Sequence, residues 1–202
     1  MTNEPASDGV PLAPLIVALR FDPESFAVLD ALRRAHFPPE RNVLAAHLTL
    51  FHALPGALET DVRHALAERA ASTPPLAIAF SQVRPLGSGV ALGVDAPALE
   101  ALRAALARQF AAHLTRQDAQ GWRPHVTVQN KVDGERARRT RRSLESEFVP
   151  WRATGLGLDL WRYRGGSWEP AATFDFAASI GLSVPSSAAS SSGSSPPAPA
   201  RR

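Results

Sequence analysis

The sequence predicts an α+β fold assembled from two similar halves. Three observations carry that reading. Strand and helix patterns follow an order that nearly recurs, and a His-apolar-Thr-apolar tetrapeptide occurs once in each half, as HLTL at 47–50 and HVTV at 125–128. The third is length: 202 residues are enough to bury a sizeable core in one domain of two lobes.

The elements follow in order. Residues 1–12 are polar and contain proline, and are expected to be disordered. LIVALR at 15–20 reads as a short buried strand. From Pro23 to about His36, Phe26, Leu29 and Leu32 recur at three-residue steps and predict a helix. PPERN at 38–42 breaks the chain before the strand that holds His47. Residues 58–71 predict a second helix, with Leu58, Val62, Ala65 and Leu66 on one face. LAIAF (76–80) and GVALGVDA (89–96) flank the turn-rich RPLGSG and predict an antiparallel hairpin.

A helix from Pro97 to about Leu114 follows, with Leu99, Leu102, Leu106 and Phe110 in register and Pro97 suited to its first turn. The strand of His125 and Thr127 comes next, then a helix from Asp133 to about Phe148. Its arginine run, GERARRTRR, falls mostly on solvated faces because Ala137, Leu144 and Phe148 form the buried stripe. Residues 151–163 and 167–176 close the fold as a hairpin. The domain therefore covers 13–182, and the Ser/Pro/Ala-rich 183–202 has nothing to bury.

Composition narrows the function. Charged residues make up 20%, ordinary for a globular protein, and the net charge is only +3. Lys131 is the one lysine, so the cationic side is almost wholly arginine, which suits planar anions such as phosphate. With no cysteine, disulfides and thiolate metal sites are excluded. The first residues lack the basic start and apolar stretch of a signal peptide, and no apolar run reaches membrane-spanning length. A cytoplasmic monomer with no membrane association is expected.

The tetrapeptides carry chemistry. Side chains alternate along a strand, so His47 and Thr49 share one face, as do His125 and Thr127. If the lobes are related by a pseudo-twofold axis, two imidazoles and two hydroxyls meet across a cleft. Two histidines can divide base and acid work on a phosphodiester near neutral pH. The hydroxyls can donate to non-bridging oxygens, so neither metal nor cofactor is required. By the same alternation Arg123, Gln129 and Phe51 face the cleft as substrate-binding candidates, with Arg123 a phosphate clamp and Phe51 a base-stacking ring. His52 falls on the opposite face and reads as structural.

HLTLFHALPG and RPHVTVQNK, set in two halves of a chain of this length, resemble the 2H phosphoesterase superfamily, and within it the bacterial 2′-5′ RNA ligase (cyclic phosphodiesterase) group. The likeness in layout covers roughly residues 13–180. It implies a bilobal fold with two pseudo-symmetric antiparallel sheets flanking a central cleft and helices outside. It also implies hydrolysis of 2′,3′-cyclic phosphates or related linkages in RNA ends or nucleotides, with reversible 2′-5′ joining in some members. Carried over by position, the catalytic residues are His47, Thr49, His125 and Thr127. A non-catalytic nucleotide- or RNA-binding module is the alternative, separated by turnover. A metallohydrolase is disfavoured because neither motif has carboxylates or a His pair at helical spacing.

Because the C-terminal segment has no apolar periodicity, deleting residues 184–202 is expected to leave the melting temperature unchanged. A clearly lower melting temperature for the truncated protein would show that the tail contributes to the fold.

Overall fold

A computed structural model describes residues 12–178. The expected disordered N-terminus, all but its last residue, and the whole Ser/Pro/Ala tail lie outside the described residues. Seven strands form one antiparallel sheet: β1 (Leu15–Phe21), β2 (Leu48–Leu54), β3 (Leu76–Pro85), β4 (Val90–Asp95), β5 (His125–Gln129), β6 (Trp151–Arg164) and β7 (Ser167–Asp175). The helices are α1 (Pro23–His36), α2 (Glu59–Ala71), α3 (Pro97–Gln109), α4 (Arg116–Ala119) and α5 (Gly134–Glu147).

The strand order is β2-β1-β6-β3-β4-β5, with β7 also paired to β6. The two expected sheets are thus two wings of a continuous one. β6 is long enough to serve both: Gly155–Arg162 pairs with β1, Gly157–Arg164 with β7, and Trp151–Gly155 with β3. One wing is β2-β1-β6-β7 and the other β5-β4-β3-β6. The two motif strands are the two ends of the path, yet β2 and β5 touch. The sheet is curled so that its ends meet.

Most elements form where the pattern places them. Leu99, Leu102 and Leu106 of α3 and Phe110 just past its end are all buried. Asp22 caps α1 through Ser25 N at 2.8 Å, while its other oxygen accepts from Thr154 N at 2.7 Å and ties the helix to β6. The β6–β7 turn uses Gly165 and Gly166 at φ 73° and 143°, where a side chain is strained.

Two departures have physical causes. α3 stops at Gln109 rather than near Leu114; a 3₁₀ turn follows, and Thr115 then caps the short α4 by accepting from Asp118 N at 3.2 Å. The inner face of α1 is also not the expected apolar stripe. Leu29 is buried, but Phe26 is exposed, and Ser25, Asp30 and Arg33 are buried beside Leu29.

Those polar residues hold the meeting edges. Arg33, on the first-half helix, donates to Asn42 Oδ1 (2.8 Å), Leu44 O (2.9 Å) and Thr127 O (2.8 Å), the last in the motif strand of the second half. Asp30 accepts from Ala46 N at 3.0 Å. Arg103, on the second-half helix α3, reaches Leu50 O (3.4 Å) in the first-half motif strand and also donates to Asp118 O. Its guanidinium lies over the Phe51 ring, as that of Arg33 lies over Phe37.

Removing Arg33 would leave three acceptors without their donor, each worth about 1–3 kcal/mol if buried and unpaired. Arg33→Met is therefore expected to cost at least about 3 kcal/mol in urea unfolding. Arg139→Met, which removes only an exposed ion pair with Glu135 on α5, should cost less than about 1 kcal/mol. Equal losses would refute the clasp.

Candidate active site

Both motifs share a second feature that alternation does not reveal. In β2, Thr49 pairs with Ala18 but Phe51 pairs with Val17, so Leu50 is an extra residue. In β5, Thr127 pairs with Ala91 but Gln129 pairs with Val90, so Val128 is extra. Each motif thus ends in a β-bulge immediately after its threonine, and a bulge reverses the facing of the side chains beyond it.

That reversal corrects three assignments. Phe51, expected to stack a base, is 1% exposed and belongs to the core. Gln129, expected in the cleft, is likewise buried; its Nε2 donates to Thr140 Oγ1 (2.8 Å) and His36 O (3.3 Å). His52, expected to point away, turns instead into the cleft. Two adjacent apolar residues, Leu50-Phe51, are the break in alternation that could have signalled the first bulge.

The cleft where the strand ends meet has a volume of about 550 Å³ and brings together His47, Thr49, His125, Thr127 and Arg123. His52, Arg84, Trp122 and Trp168 join them from four different segments. His47 lies just before β2 and His125 opens β5. Their local bonding is the same: His47 Nδ1 is 2.8 Å from Ala45 O and His125 Nδ1 is 2.9 Å from Arg123 O. A carbonyl can only accept, so each Nδ1 carries hydrogen and each Nε2 is left for another partner. The ring of Trp168 packs on that of His47, centroids 4.6 Å apart.

Behind them lies a network that sequence reasoning missed. Asp118, 2% exposed, accepts from His52 N, Ala53 N (both 3.0 Å) and His52 Nδ1 (2.9 Å). These donors hold its carboxyl below the usual range against the opposing effect of burial. The backbone of β2 and the His52 ring are thereby fixed to α4. Trp122 Nε1 donates to Thr49 O at 3.1 Å, and Arg84 to Arg123 O at 3.3 Å. Thr49 is thus braced by Trp122, and the carbonyl that holds His125 is itself tied to Arg84.

Electrostatics set the protonation state. Burial is the main cause that lowers His47 from 6.5 to about 4, opposed by its bond to Ala45 O and reinforced by Arg33, His52 and His125. His125 is lowered by burial first, then by Arg84 and His52, against its bond to Arg123 O. Between about pH 4 and 6.5 the unfolded chain binds the His47 proton and the fold does not, so acid erodes stability in that window. Among the described residues, no group of three or more His, Asp or Glu is arranged to hold a metal ion, and no helix is long and apolar enough to cross a membrane.

A family model for the 2′-5′ RNA ligase superfamily matches residues 21–167. Among solved structures, TT0787 of Thermus thermophilus is similar, with a TM-score of 0.61 and 15% identity over 82% of this chain and 99% of that one. LigT of E. coli, complexed with 3′-AMP, has a TM-score of 0.59 and 19% identity over 83% and 99%. A protein described as a phosphoesterase has 0.56 and 21% over 83% and 99%. At these identities the likeness shows the fold. No curated protein matches the chain in sequence.

The histidine electrostatics are open to direct measurement. In ¹H–¹⁵N spectra of the imidazoles, His47 is expected to titrate at about pH 4 and His125 below 6.5. Inorganic phosphate should raise both midpoints, because an anion compensates the desolvated imidazolium. A His47 midpoint near 6.5 in phosphate-free buffer would contradict the buried, cation-flanked setting.

Proposed function

The chain belongs to the 2′-5′ RNA ligase superfamily, and on that premise we propose that it is a 2H-type phosphoesterase hydrolysing 2′,3′-cyclic phosphates or related phosphodiester linkages of RNA ends and nucleotides. With the 5′-hydroxyl of a second end attacking in place of water and the 3′-oxygen leaving, the same groups would open the cyclic phosphate into a 2′-5′ linkage. The observation that carries this reading is the pair of matched imidazoles. Both are tied at Nδ1 to the carbonyl two residues back, and both leave Nε2 for chemistry in one cleft.

In hydrolysis, one neutral Nε2 takes the proton of the attacking water. The other imidazole, protonated, gives its proton to the ribose oxygen that leaves. Thr49 and Thr127 donate hydroxyl hydrogens to the non-bridging oxygens, where charge accumulates. Arg84 and Arg123 bring the phosphate into a cleft of positive potential. The low affinity of both histidines for protons has a use here. A bound phosphate restores charge to one imidazole, and that imidazolium is then a willing acid. Arg123 is exposed at the rim, in keeping with a phosphate contact rather than proton transfer.

His47→Ala and His125→Ala are each expected to lower kcat on a 2′,3′-cyclic nucleotide by at least about 10²-fold. The double variant should lose less than the product of the two, since the pair acts as a unit. Thr49→Ala and Thr127→Ala should be milder. Wild-type turnover after exhaustive chelation is the deciding measurement. Full activity in either histidine variant, or activity abolished by chelator and restored by a divalent cation, would overturn the two-histidine mechanism. A folded wild type with no turnover of any cyclic-phosphate or 2′-5′-linked substrate would favour the binding-module alternative.

A further inference from the structure

A second cavity of about 580 Å³ opens beside the cleft and shares His47 and Trp168 with it. Its lining is largely apolar and aromatic, with Trp161 from β6, Trp168 from β7, Phe26 from α1 and Val43 from the loop before β2. Two charged residues enter this surface, Arg20 and Asp159. Arg20 is already committed, since it pairs with Asp175. It reaches that partner across Gly157, where an added Cβ would lie 2.5 Å from Arg20 Nη2.

Asp159 is only partly committed. Its Oδ1 is buried without a hydrogen-bond partner, one of two such atoms among the described residues. The residue lines the cavity, although that oxygen is itself sealed from solvent. Burial raises its carboxyl above the usual value, opposed by Arg20 and the Thr173 hydroxyl and reinforced by Asp175.

Register places this acceptor relative to the reaction. Thr49 pairs with Ala18, Ala18 with Asp159, and Asp159 with Thr173, so all four share one face in a row across the sheet. Asp159 is two strands from Thr49, about 10 Å at ordinary strand spacing. That is comparable with the span from a phosphate to the far edge of its nucleoside's base. The aromatic walls adjoin both ends: Trp161 shares β6 with Asp159, and Trp168 packs on His47.

Building on the phosphoesterase reading, we infer that this groove is a nucleobase subsite in which Trp161 and Trp168 take the ring and the Asp159 carboxylate accepts from an amino N–H on its edge. The chemistry discriminates among bases. Adenine, guanine and cytosine carry an exocyclic amino group. Uracil offers a single ring N–H flanked by two carbonyl oxygens, which would face the carboxylate oxygen unfavourably. The site would accept a nucleoside that bears an amino group and disfavour uridine.

The test compares kcat/KM for the 2′,3′-cyclic phosphates of adenosine, guanosine, cytidine and uridine in the wild type and in Asp159→Asn. The wild type is expected to disfavour uridine by about tenfold or more. Asp159→Asn, whose amide can donate to a uracil carbonyl, should shrink that ratio to within about threefold. Calorimetry with the four nucleoside 3′-monophosphates accompanies it, as does quenching of tryptophan fluorescence, and both read the subsite whether or not turnover occurs. Turnover with no base preference, or a preference that Asp159→Asn leaves intact, would overturn the subsite while the phosphoesterase reading stands. Base-selective binding and quenching without turnover would keep the subsite and sink the catalytic reading. Equal affinity for all four monophosphates in the wild type would overturn the subsite by itself.

Discussion

The structure depends on two buried guanidiniums that each reach from a helix of one half into the motif strand of the other. β2 and β5 are the ends of a sheet, and the outer edge of an end strand carries backbone groups with no ladder partner. The bulge after each threonine disrupts the ladder further on the inner side. Arg33 meets the carbonyl of Thr127, and Arg103 reaches that of Leu50, beside or within the bulge. Burial lowers the proton affinity of both arginines, yet Asp30 and Asp118 oppose the shift, and a guanidinium has so high a starting value that it stays charged. A lysine could not replace either one, because several acceptors must be met in different directions by one rigid fork. Without this exchange of side chains between the halves, the two histidines would sit on opposite rims of an open sheet.

The same positive charge that closes the sheet shapes its chemistry. Arg33, Arg84 and His52 oppose protonation of the two motif histidines, and burial opposes it more strongly. An empty cleft therefore holds neutral imidazoles surrounded by donors, a setting that favours an anion over water. Carbonyl contacts at both Nδ1 atoms ensure that neutrality leaves a lone pair at Nε2 rather than a hydrogen. Tautomer and direction are imposed by backbone within two residues of each ring, whereas charge is set by burial and by more distant cations. Such a site is built on strand ends and short caps rather than long loops, which limits how far the rings can wander.

How much of this was legible in the sequence follows from which forces act locally. Hydrophobic periodicity located nearly every strand and helix, because Leu99, Leu102, Leu106 and Phe110 report burial through spacing alone. The recurring tetrapeptide located the four motif residues that the fold gathers. What failed was alternation beyond Thr49 and Thr127, since a bulge is a backbone event that one inserted residue produces. Phe51 and Gln129 went inward and His52 outward for that single reason. Arg33, Arg103 and Asp118 were illegible for a different one. Each looks like a solvated charge until a partner from the other half of the chain arrives, and residues such as Leu50 and Arg103 are neighbours only in the fold. The continuity of the sheet through β6 was hidden likewise, because a fourteen-residue strand reads as one arm of a hairpin whether it serves one wing or two.

Trp168 shows why the halves of the site need not be equivalent. The two motifs match in sequence, bulge and histidine bonding, yet only His47 is packed against an indole and only its side of the sheet continues into an aromatic groove. The difference arises from β7, which lies beside β6 in the first wing, whereas the matching place beside β3 in the second is taken by the start of β6. Pseudo-symmetry thus governs the reacting atoms, where two equivalent imidazoles are useful. Asymmetry enters one strand away, where the two sides of a phosphodiester differ. A nucleotide is itself asymmetric about its phosphorus, and a site symmetric throughout would hold it in two opposed orientations. β7, through Trp168, breaks that degeneracy, and it does so without altering the cross-strand pairs that hold the histidines.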